Sequence, residues 1–282
     1  MQTRTIGNRR VSAIGLGAMP MSVAGHMPDE DQSVRTLLAA LDAGLTLIDT
    51  ADAYTPSHDD PGHNERLVAR ALSLWSGDAG DVLVATKGGH VRTPGGGWDV
   101  DGRPEYLKRA CDRSLKALGV ESIGLYQHHR PDPKVPYEDT IGALKDLHDA
   151  GKIELAGISN ANPEQIRLAH AILGDRLASV QNQYSPRFRS SEPEIDVCAE
   201  LGLAFLPWSP LGGIGRTGEL RDAFAEIGEA RGVSPQRVCL AWELARSPVV
   251  IPIPGASRPE SIRDSAAAAT LELTAEELAR LG

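Results

Sequence analysis

Residues that can carry out acid–base chemistry stand at the ends of three separate apolar runs in this sequence. Asp49 follows the run LTLI, with Tyr54 five residues further on; Lys87 ends VLVATK; and His128 and His129 end IGLYQHH. Runs of this length, with β-branched side chains, are typical of buried strands. If the three strands are neighbours in a parallel barrel, their ends meet at one rim, where such folds place catalytic groups.

Each of these residues also has a structural interpretation: Asp49 capping a turn, Lys87 in a rim salt bridge, or His129 as a hydrogen-bonded polar group. A buried lysine needs a partner, however, and Asp49 is the available carboxylate. A lysine beside Tyr54 favours the phenolate, which lowers the tyrosine pKa from its ordinary value of about 10. The group therefore predicts a general acid that protonates a developing alkoxide near neutral pH. Because adjacent strand residues face opposite sides, the residues alone leave His128 and His129 as alternatives.

The elements that position these residues alternate between strand and helix patterns. A hairpin turning at Gly7-Asn8 opens the chain, and eight strand patterns follow from Ala13 onward. Strict alternation predicts a parallel sheet, and eight strands favour an α/β fold of the (β/α)8 TIM-barrel type, with extra C-terminal helices, over an open doubly wound sheet. Since no linker divides the chain, we expect one barrel domain over residues 1–282.

The patterns also give approximate bounds for the elements. After the first strand, the predicted strands are 45–49, 82–86, 123–128, 153–158, 179–183, 203–208 and 249–253. The predicted helices are 29–43, 64–74, 105–118, 138–150, 163–173, 193–201, 219–231, 235–246, 259–269 and 274–281. Between them, the long glycine-rich stretch 88–104 predicts a lid or a disordered loop.

Composition excludes several classes of function. The chain has 282 residues, 41% hydrophobic and 24% charged, with a formal net charge of −9 and no basic run. These values argue against nucleic acid or an anionic membrane as the main partner. No apolar stretch reaches the length of a membrane span, and the N-terminus lacks the apolar segment of a signal peptide. The three cysteines are widely spaced, and the histidines and aspartates of loop 54–64 lack metal-ligand spacing, so we expect a cytoplasmic protein without a metal site.

Seven motifs resemble those of the aldo-keto reductase family and occur in the family's order. They are IDTADAY with NERLVARAL, VLVATKGG, LYQHHRPDP, GKIELAGISN, VQNQYS, LPWSPLGG and IPIPGASRPESI. Together they span almost the whole chain. The resemblance implies a (β/α)8 barrel that reduces a carbonyl compound to an alcohol with NAD(P)H.

The same resemblance assigns four catalytic positions. They are Asp49, Tyr54, Lys87 and His129, the last because the family places its histidine directly before the arginine of HRPDP. In the implied mechanism, hydride passes from the nicotinamide to a bound carbonyl carbon. Tyr54 acts as the general acid, Lys87 and Asp49 tune it, and His129 aligns the carbonyl.

Further residues are implied to hold the cofactor. They are Ser159, Asn160 and Gln181 on the nicotinamide carboxamide, Trp208 against its ring, Ser209, Leu211 and Gly213 along the phosphates, and Gly255, Ser257 and Arg258 ahead of the last barrel helix. Structural alternatives are rim packing for Trp208 and a helix cap for the Ser159-Asn160 pair. A guanidinium and a helix N-terminus suit a 2′-phosphate, which favours NADPH. Because Gly255 and Ser261 stand where the family often has lysine and arginine, NADH remains possible.

Two other functions are compatible with the same motifs. One is a regulatory subunit that binds NADPH with little turnover, and the other is a Schiff-base lyase that uses Lys87 as its nucleophile. The expected partner is a small carbonyl substrate, bound by the rim loops 19–27, 54–63, 88–104 and 185–192. Candidate pocket residues are Met19, Met21, Trp98 and Phe188 for apolar contacts, and His90, Arg92 and Arg187 for a polar or anionic group. Simple aldehydes, pyridoxal-like aldehydes and keto sugars, and any oligomeric state, remain open.

Overall fold

A curled parallel sheet forms the centre of the computed structural model, which describes residues 1–23, 27–213 and 222–282. The strands are β1 (Thr3–Ile6), β2 (Arg9–Ser12), β3 (Leu16–Gly17), β4 (Leu47–Asp49), β5 (Leu83–Gly88), β6 (His90–Arg92), β7 (Trp98–Val100), β8 (Ile123–His128), β9 (Ile153–Ser159), β10 (Leu177–Gln181) and β11 (Ala204–Phe205). Within the described residues the central sheet has the order β11-β10-β9-β8-β5-β4-β3. Apart from the outer hairpins, each strand therefore pairs with its neighbour in the chain, as the alternating pattern predicts.

The eighth predicted strand is present as an irregular segment, 249–255, between the two edges of this sheet. On one side the Ile251 N–H donates to the Phe205 carbonyl at 2.8 Å, and on the other the Gly15 N–H donates to the Pro252 carbonyl at 2.9 Å. Proline has no N–H, so the segment cannot form a regular ladder, although its carbonyls still accept hydrogen bonds. These bonds close the sheet into a (β/α)8 barrel.

The helices surround the barrel. They are α1 (Glu30–Asp42), α2 (His63–Leu74), α3 (Pro104–Leu118), α4 (Tyr137–Asp149), α5 (Pro163–Leu173), α6 (Glu192–Leu201), α7 (Asp222–Arg231), α8 (Pro235–Arg246), α9 (Pro259–Ala267) and α10 (Ala275–Leu281). Residues 219–221, the predicted start of the helix before α8, lie outside the described residues. No helix in the described part of the chain is long and apolar enough to cross a membrane.

Capping residues explain why the helices begin where the sequence predicts. Asn162 and Gln165 form a capping box at the start of α5, with Pro163 in the first turn. Ser234 caps α8 by accepting a hydrogen bond from the Arg237 N–H. Side-chain oxygens at these positions satisfy N–H groups that have no partner within the helix.

Two layers of apolar side chains follow from strand alternation. In β5, Leu83 and Ala85 belong to the cluster inside the barrel. In β8, Leu125 joins this inner cluster, whereas Tyr126 belongs to the layer between the sheet and the helices. Because side chains alternate along a strand, this register determines which polar residues at the strand ends point into the barrel.

The N-terminal hairpin covers the barrel end at which the strands begin. β1 and β2 pair in antiparallel fashion, with Ile6 opposite Arg9. Ile6 and Val11 are buried in the inner cluster. From β1, the Arg4 guanidinium donates to carbonyls at the end of α8 and the start of the closing segment. The opposite end of the barrel therefore remains open for a site.

The stretch 88–104 contains a β-hairpin, so the alternative of a disordered loop is wrong, while that of a lid stays a prediction. Arg92 pairs with Trp98 across β6 and β7. The His90 ring stacks on the Trp98 indole, with ring centres 4.4 Å apart, and the Arg92 guanidinium lies 4.3 Å from the Trp98 ring. Cross-strand contacts of this kind stabilise a hairpin. The glycines that suggested disorder instead supply its turn, where Gly96 has a φ of 77°.

Candidate active site

A buried lysine connects a carboxylate and a phenol at the C-terminal end of the barrel. Lys87 lies two residues beyond Ala85 in β5 and therefore points inward. Its ammonium donates to the Asp49 carboxylate at 2.7 Å, to the Thr50 carbonyl at 2.8 Å and to the Tyr54 oxygen at 3.2 Å. Lys87 is fully buried and Asp49 is 3% exposed. Since all three hydrogen atoms of the ammonium have acceptors, the lysine is stable in its charged form.

Burial determines the direction of the tyrosine pKa. Removal from solvent raises the pKa of Tyr54 and the nearby Asp49 carboxylate adds to this, whereas the charge of Lys87 acts in the opposite direction without cancelling it. The prediction of a lowered tyrosine pKa is therefore wrong for this structure. Burial lowers the pKa of Lys87, but the effects of Asp49 and Tyr54 outweigh that of burial, so the lysine pKa is raised. Tyr54 is thus a protonated phenol at neutral pH, as a proton donor must be.

Of the two adjacent histidines, His129 faces the same space as Tyr54. Its ring meets the Tyr54 ring edge to face at 5.7 Å. Burial, and then the charge of Lys87, lower the pKa of His129 well below its ordinary value, so the imidazole is neutral. His128 points to the other side of the sheet, where it is fully buried and lies 5.9 Å from the Tyr137 ring. The alternation along β8 thus separates the two residues.

A cavity of about 1120 Å³ opens at this end of the barrel. All the residues predicted for the site line it except Lys87, which lies behind Asp49 and Tyr54. The lining residues among them are Asp49, Tyr54, His129, Ser159, Asn160, Gln181, Trp208, Ser209, Leu211, Gly213, Gly255, Ser257 and Arg258. The cavity is therefore continuous from the acid–base group to the start of α9.

Hydrogen bonds fix the polar side chains beside the acid–base group. The Gln181 amide donates to the Asp49 carboxylate at 2.8 Å, and the Asn160 amide donates to the His129 carbonyl at 3.0 Å. The Ser159 hydroxyl donates to the Gln181 backbone carbonyl at 2.7 Å. These bonds engage the amide nitrogens of Asn160 and Gln181 rather than their carboxamide oxygens. The two oxygens are the kind of acceptor that an amide ligand requires.

These positions are not the cap of the following helix, since Asn162 has that role. Asn160 instead adopts a left-handed backbone with a φ of 57°. Such a conformation is uncommon outside glycine, and it clusters at functional sites. The capping alternative for the Ser159-Asn160 pair is therefore excluded.

The segment after β11 forms another wall of the cavity. Trp208 packs against the inner cluster, yet its indole nitrogen is buried with no hydrogen-bond partner among the described residues. The chain then turns sharply, because Ser209 and Gly213 have φ values of 53° and 110°. Trp208 thus has the rim packing expected of a structural residue and also lines the cavity.

The far end of the cavity is suited to an anion. Arg258 occupies the N-cap position of α9 and provides no side-chain cap for the helix. Ser257 precedes it, held by a hydrogen bond of 2.8 Å from the Gln32 amide to its carbonyl. The first N–H groups of a helix have no partner within the helix, and together with a guanidinium they favour phosphate. The polar groups between this end and Asn160 therefore suit a ligand that has an anionic group at one end and an amide at the other.

The structure corrects the list of candidate pocket residues. Met19, Trp98 and His90 line the cavity. Met21 is instead buried in the layer under the helices, and Phe188 is not a lining residue. Sequence reasoning missed Arg130, which lines the cavity directly after His129. The signal was present in the motif HRPDP, where the arginine served only to identify the histidine.

Fold and site together describe a (β/α)8 barrel with a lysine–carboxylate–phenol group at the C-terminal end of its strands. The family model described as "Aldo/keto reductase family" matches residues 13–282. The chain therefore belongs to the aldo/keto reductase family, whose members are oxidoreductases.

Individual relatives agree with this assignment. The chain is similar to aldo-keto reductase str7 of Strobilurus tenacellus, at 34% identity over 318 positions that cover 99% of this chain and 90% of that protein. It is 33% identical to an uncharacterized oxidoreductase of Schizosaccharomyces pombe over 284 positions, covering 99% and 88%. It also resembles the crystal structure of an aldo/keto reductase from Klebsiella pneumoniae in complex with NADP and acetate, with a TM-score of 0.81, 30% identity and coverage of 99% and 93%.

Proposed function

We propose that this chain is an NADPH-dependent reductase that converts an aldehyde or ketone to an alcohol, with Tyr54 as the proton donor. The observation that carries the proposal is the buried contact of Lys87 with both Asp49 and Tyr54 at the base of the cavity. The complex of the Klebsiella pneumoniae relative with NADP supports the choice of cofactor.

The cofactor residues are those that the cavity brings together. Ser159, Asn160, Gln181 and Trp208 would hold the nicotinamide end, and the backbone of Ser209, Leu211, Gly213 and Gly255, with Ser257 and Arg258, would hold the phosphates. When bound, the nicotinamide supplies a hydride to the carbonyl carbon. The guanidinium of Arg258 favours a 2′-phosphate and hence NADPH over NADH.

The protein's own groups supply the proton and the alignment. Tyr54 donates its proton to the carbonyl oxygen, and the adjacent Lys87 ammonium stabilises the phenolate that results. Asp49 keeps Lys87 charged within the buried site. The neutral imidazole of His129 orients the carbonyl oxygen through a hydrogen bond.

The test is the substitution Tyr54→Phe, assayed by NADPH consumption with a panel of aldehydes, ketones and keto sugars. Without the phenol proton, we expect turnover to fall by about a hundredfold or more while NADPH binding stays near normal. Tyr137→Phe is the matched control, because the Tyr137 hydroxyl has no hydrogen-bond partner among the described residues. Retention of most reductase turnover by Tyr54→Phe would refute the assignment.

The two other functions make different predictions in the same assay. A Schiff-base lyase needs a neutral lysine amine, but Asp49 and Tyr54 raise the pKa of Lys87, which argues against this use. A regulatory subunit would bind NADPH tightly without steady-state turnover. Borohydride trapping of substrate on Lys87 would support the lyase. Binding of NADPH without turnover would support the regulatory subunit.

A further inference from the structure

Arg130 places a positive charge in the cavity that no described residue neutralises. It lines the cavity next to His129, and its guanidinium has no hydrogen bond or ion pair within the part of the chain that the structure describes. Its charge acts on Tyr54, His90 and His129, so it lies close to the acid–base group. A half-buried guanidinium without a partner loses part of its solvation without compensation.

The neighbouring groups cannot supply the missing negative charge. The Asp49 carboxylate is already paired with Lys87 at 2.7 Å. Two further acidic residues of the cavity, Glu260 and Asp264, lie on α9 at its other end, where Asp264 is bound to Arg237 at 2.6 Å. No acidic residue among the described lining residues therefore balances the charge of Arg130, and an anion in the cavity would balance it.

The wall next to Arg130 is neutral and aromatic. His90 meets His129 edge to face at 4.8 Å and stacks on Trp98 at 4.4 Å. Burial and the nearby cations, first among them Arg130, lower the pKa of His90 to about 4, so its ring is uncharged at neutral pH. The charge of Arg92 is directed at the Trp98 ring, 4.3 Å away. This wall accommodates a flat or apolar substrate body and leaves Arg130 as its anion-binding group.

We infer that Arg130 is a specificity-determining residue that pairs with a carboxylate or phosphate group on the carbonyl substrate, whose body lies against His90 and Trp98. The inference rests on the proposed reductase function and names the substrate class of that site. A guanidinium binds either oxyanion through two parallel hydrogen bonds, which a neutral group of the same shape cannot replace. The substrate is thus an anionic aldehyde or ketone.

The test compares pairs of substrates that differ in charge. The carboxylate pair is 4-carboxybenzaldehyde and its methyl ester, and the phosphate pair is glyceraldehyde 3-phosphate and glyceraldehyde, each assayed with NADPH. Arg130→Gln is expected to lower kcat/KM for the preferred anionic member by about tenfold to a hundredfold and to change its neutral partner by less than about threefold. Arg130→Lys keeps the charge without the planar fork and is expected to retain part of the preference. Arg109→Gln is the control, since Arg109 is exposed on α3 outside the cavity.

The outcomes separate this inference from the function on which it rests. Selective loss in one pair identifies the oxyanion as carboxylate or phosphate and supports the inference. Equal losses for anionic and neutral members would show that Arg130 acts on Tyr54 rather than on the substrate, which overturns the inference and leaves the reductase function intact. Wild-type protein that reduces neutral aldehydes without preferring anionic ones overturns it in the same way. Absence of turnover with every carbonyl compound would overturn both.

Discussion

The Lys87 ammonium lies 3.2 Å from the Tyr54 oxygen and 4.8 Å from the centre of the same ring. The phenol therefore contacts a full positive charge, and on the other side of that charge is the Asp49 carboxylate at 2.7 Å. Lys87 lowers the pKa of Tyr54 and Asp49 raises it, while burial gives the largest contribution, upward. The two charged neighbours thus shift the pKa of the proton donor, Tyr54, in opposite directions.

The first prediction is that Lys87→Met and Asp49→Asn shift the pH profile of turnover in opposite directions. Loss of the lysine charge raises the pKa of Tyr54, so the alkaline fall in kcat moves to higher pH. Loss of the Asp49 charge moves it to lower pH, because Asp49 raises the pKa of both Tyr54 and Lys87. The measurement is kcat between pH 6 and 11 at saturating NADPH, with wild type alongside. Both variants have lower maximal turnover, but a shift of both profiles in one direction would contradict the proposed electrostatics.

The second prediction concerns the choice between NADPH and NADH. Arg258 is exposed at the start of α9, where it lines the cavity without capping the helix. If it pairs with the 2′-phosphate, Arg258→Gln raises the Kd for NADPH by about tenfold or more and changes the Kd for NADH by less than about threefold. Fluorescence titration of both nucleotides measures the two constants, with Arg109→Gln as the control for a surface charge. If the Kd values of both nucleotides rose equally, Arg258 would be assigned to the phosphates that NADPH and NADH have in common.

Much of the fold follows from local patterns in the sequence. The sequence Asn162-Pro163 marks a helix start because both its side-chain cap and its fixed φ are local properties, and α5 begins there. Lys87 and Asp49 lie near the ends of two apolar strands that are neighbours in the sheet. The contact between the two side chains therefore follows from the order of the strands. Patterns of this kind need only the alternation of side chains and the parallel arrangement of neighbouring strands.

Other features depend on contacts between distant parts of the chain. The closing segment looks like a strand in the sequence, but Pro252 interrupts its ladder while its carbonyl still closes the barrel. The stack of His90 on Trp98 forms only once the hairpin pairs. The direction in which the pKa of Tyr54 shifts depends on how deeply the phenol is buried, and the composition does not give this depth. Arg130 is notable only once the cavity is known and none of its described lining residues is found to neutralise the guanidinium.

The third prediction concerns the stability of the barrel end opposite the site. The Arg4 guanidinium donates to the Ser247 carbonyl, and at 2.6 Å to those of Val250 and Leu244. Arg4→Met removes the guanidinium donor from all three carbonyls, and only that of Ser247 keeps another donor among the described residues, the Val250 N–H at 3.2 Å. We therefore expect a loss of about 3 kcal/mol in the free energy of unfolding. Arg10→Met, which removes only a bond of 2.7 Å to the Thr3 hydroxyl at the surface, should cost less than about 0.5 kcal/mol. Urea denaturation compares the two, and equal losses would show that the hairpin does not depend on Arg4.

The fourth prediction concerns a buried carboxyl group outside the site. Both oxygens of Glu243 on α8 are buried and have no hydrogen-bond partner among the described residues. Burial raises the pKa of this carboxyl well above its ordinary value, and its charge acts on the neighbouring Cys239 and Tyr184. A carboxyl with a raised folded-state pKa stabilises the fold fully below its unfolded pKa of about 4.3, and this contribution is lost as pH rises through the folded-state pKa.

Glu243→Gln removes that titration, so the variant should gain stability relative to wild type as pH rises from 5 to 9. Each pKa unit between the folded and unfolded states corresponds to about 1.4 kcal/mol, which sets the scale of the gain. Urea denaturation at pH 5, 7 and 9 measures it, with the exposed Glu276→Gln on α10 as a control that should follow wild type throughout. Only the difference between pH values is diagnostic, because the glutamine amide brings its own unpaired donors. A Glu243→Gln variant that parallels wild type at all three values would mean that Glu243 binds the same number of protons in the folded and unfolded states, so that its carboxyl is ionised in the folded protein and its pKa is not raised.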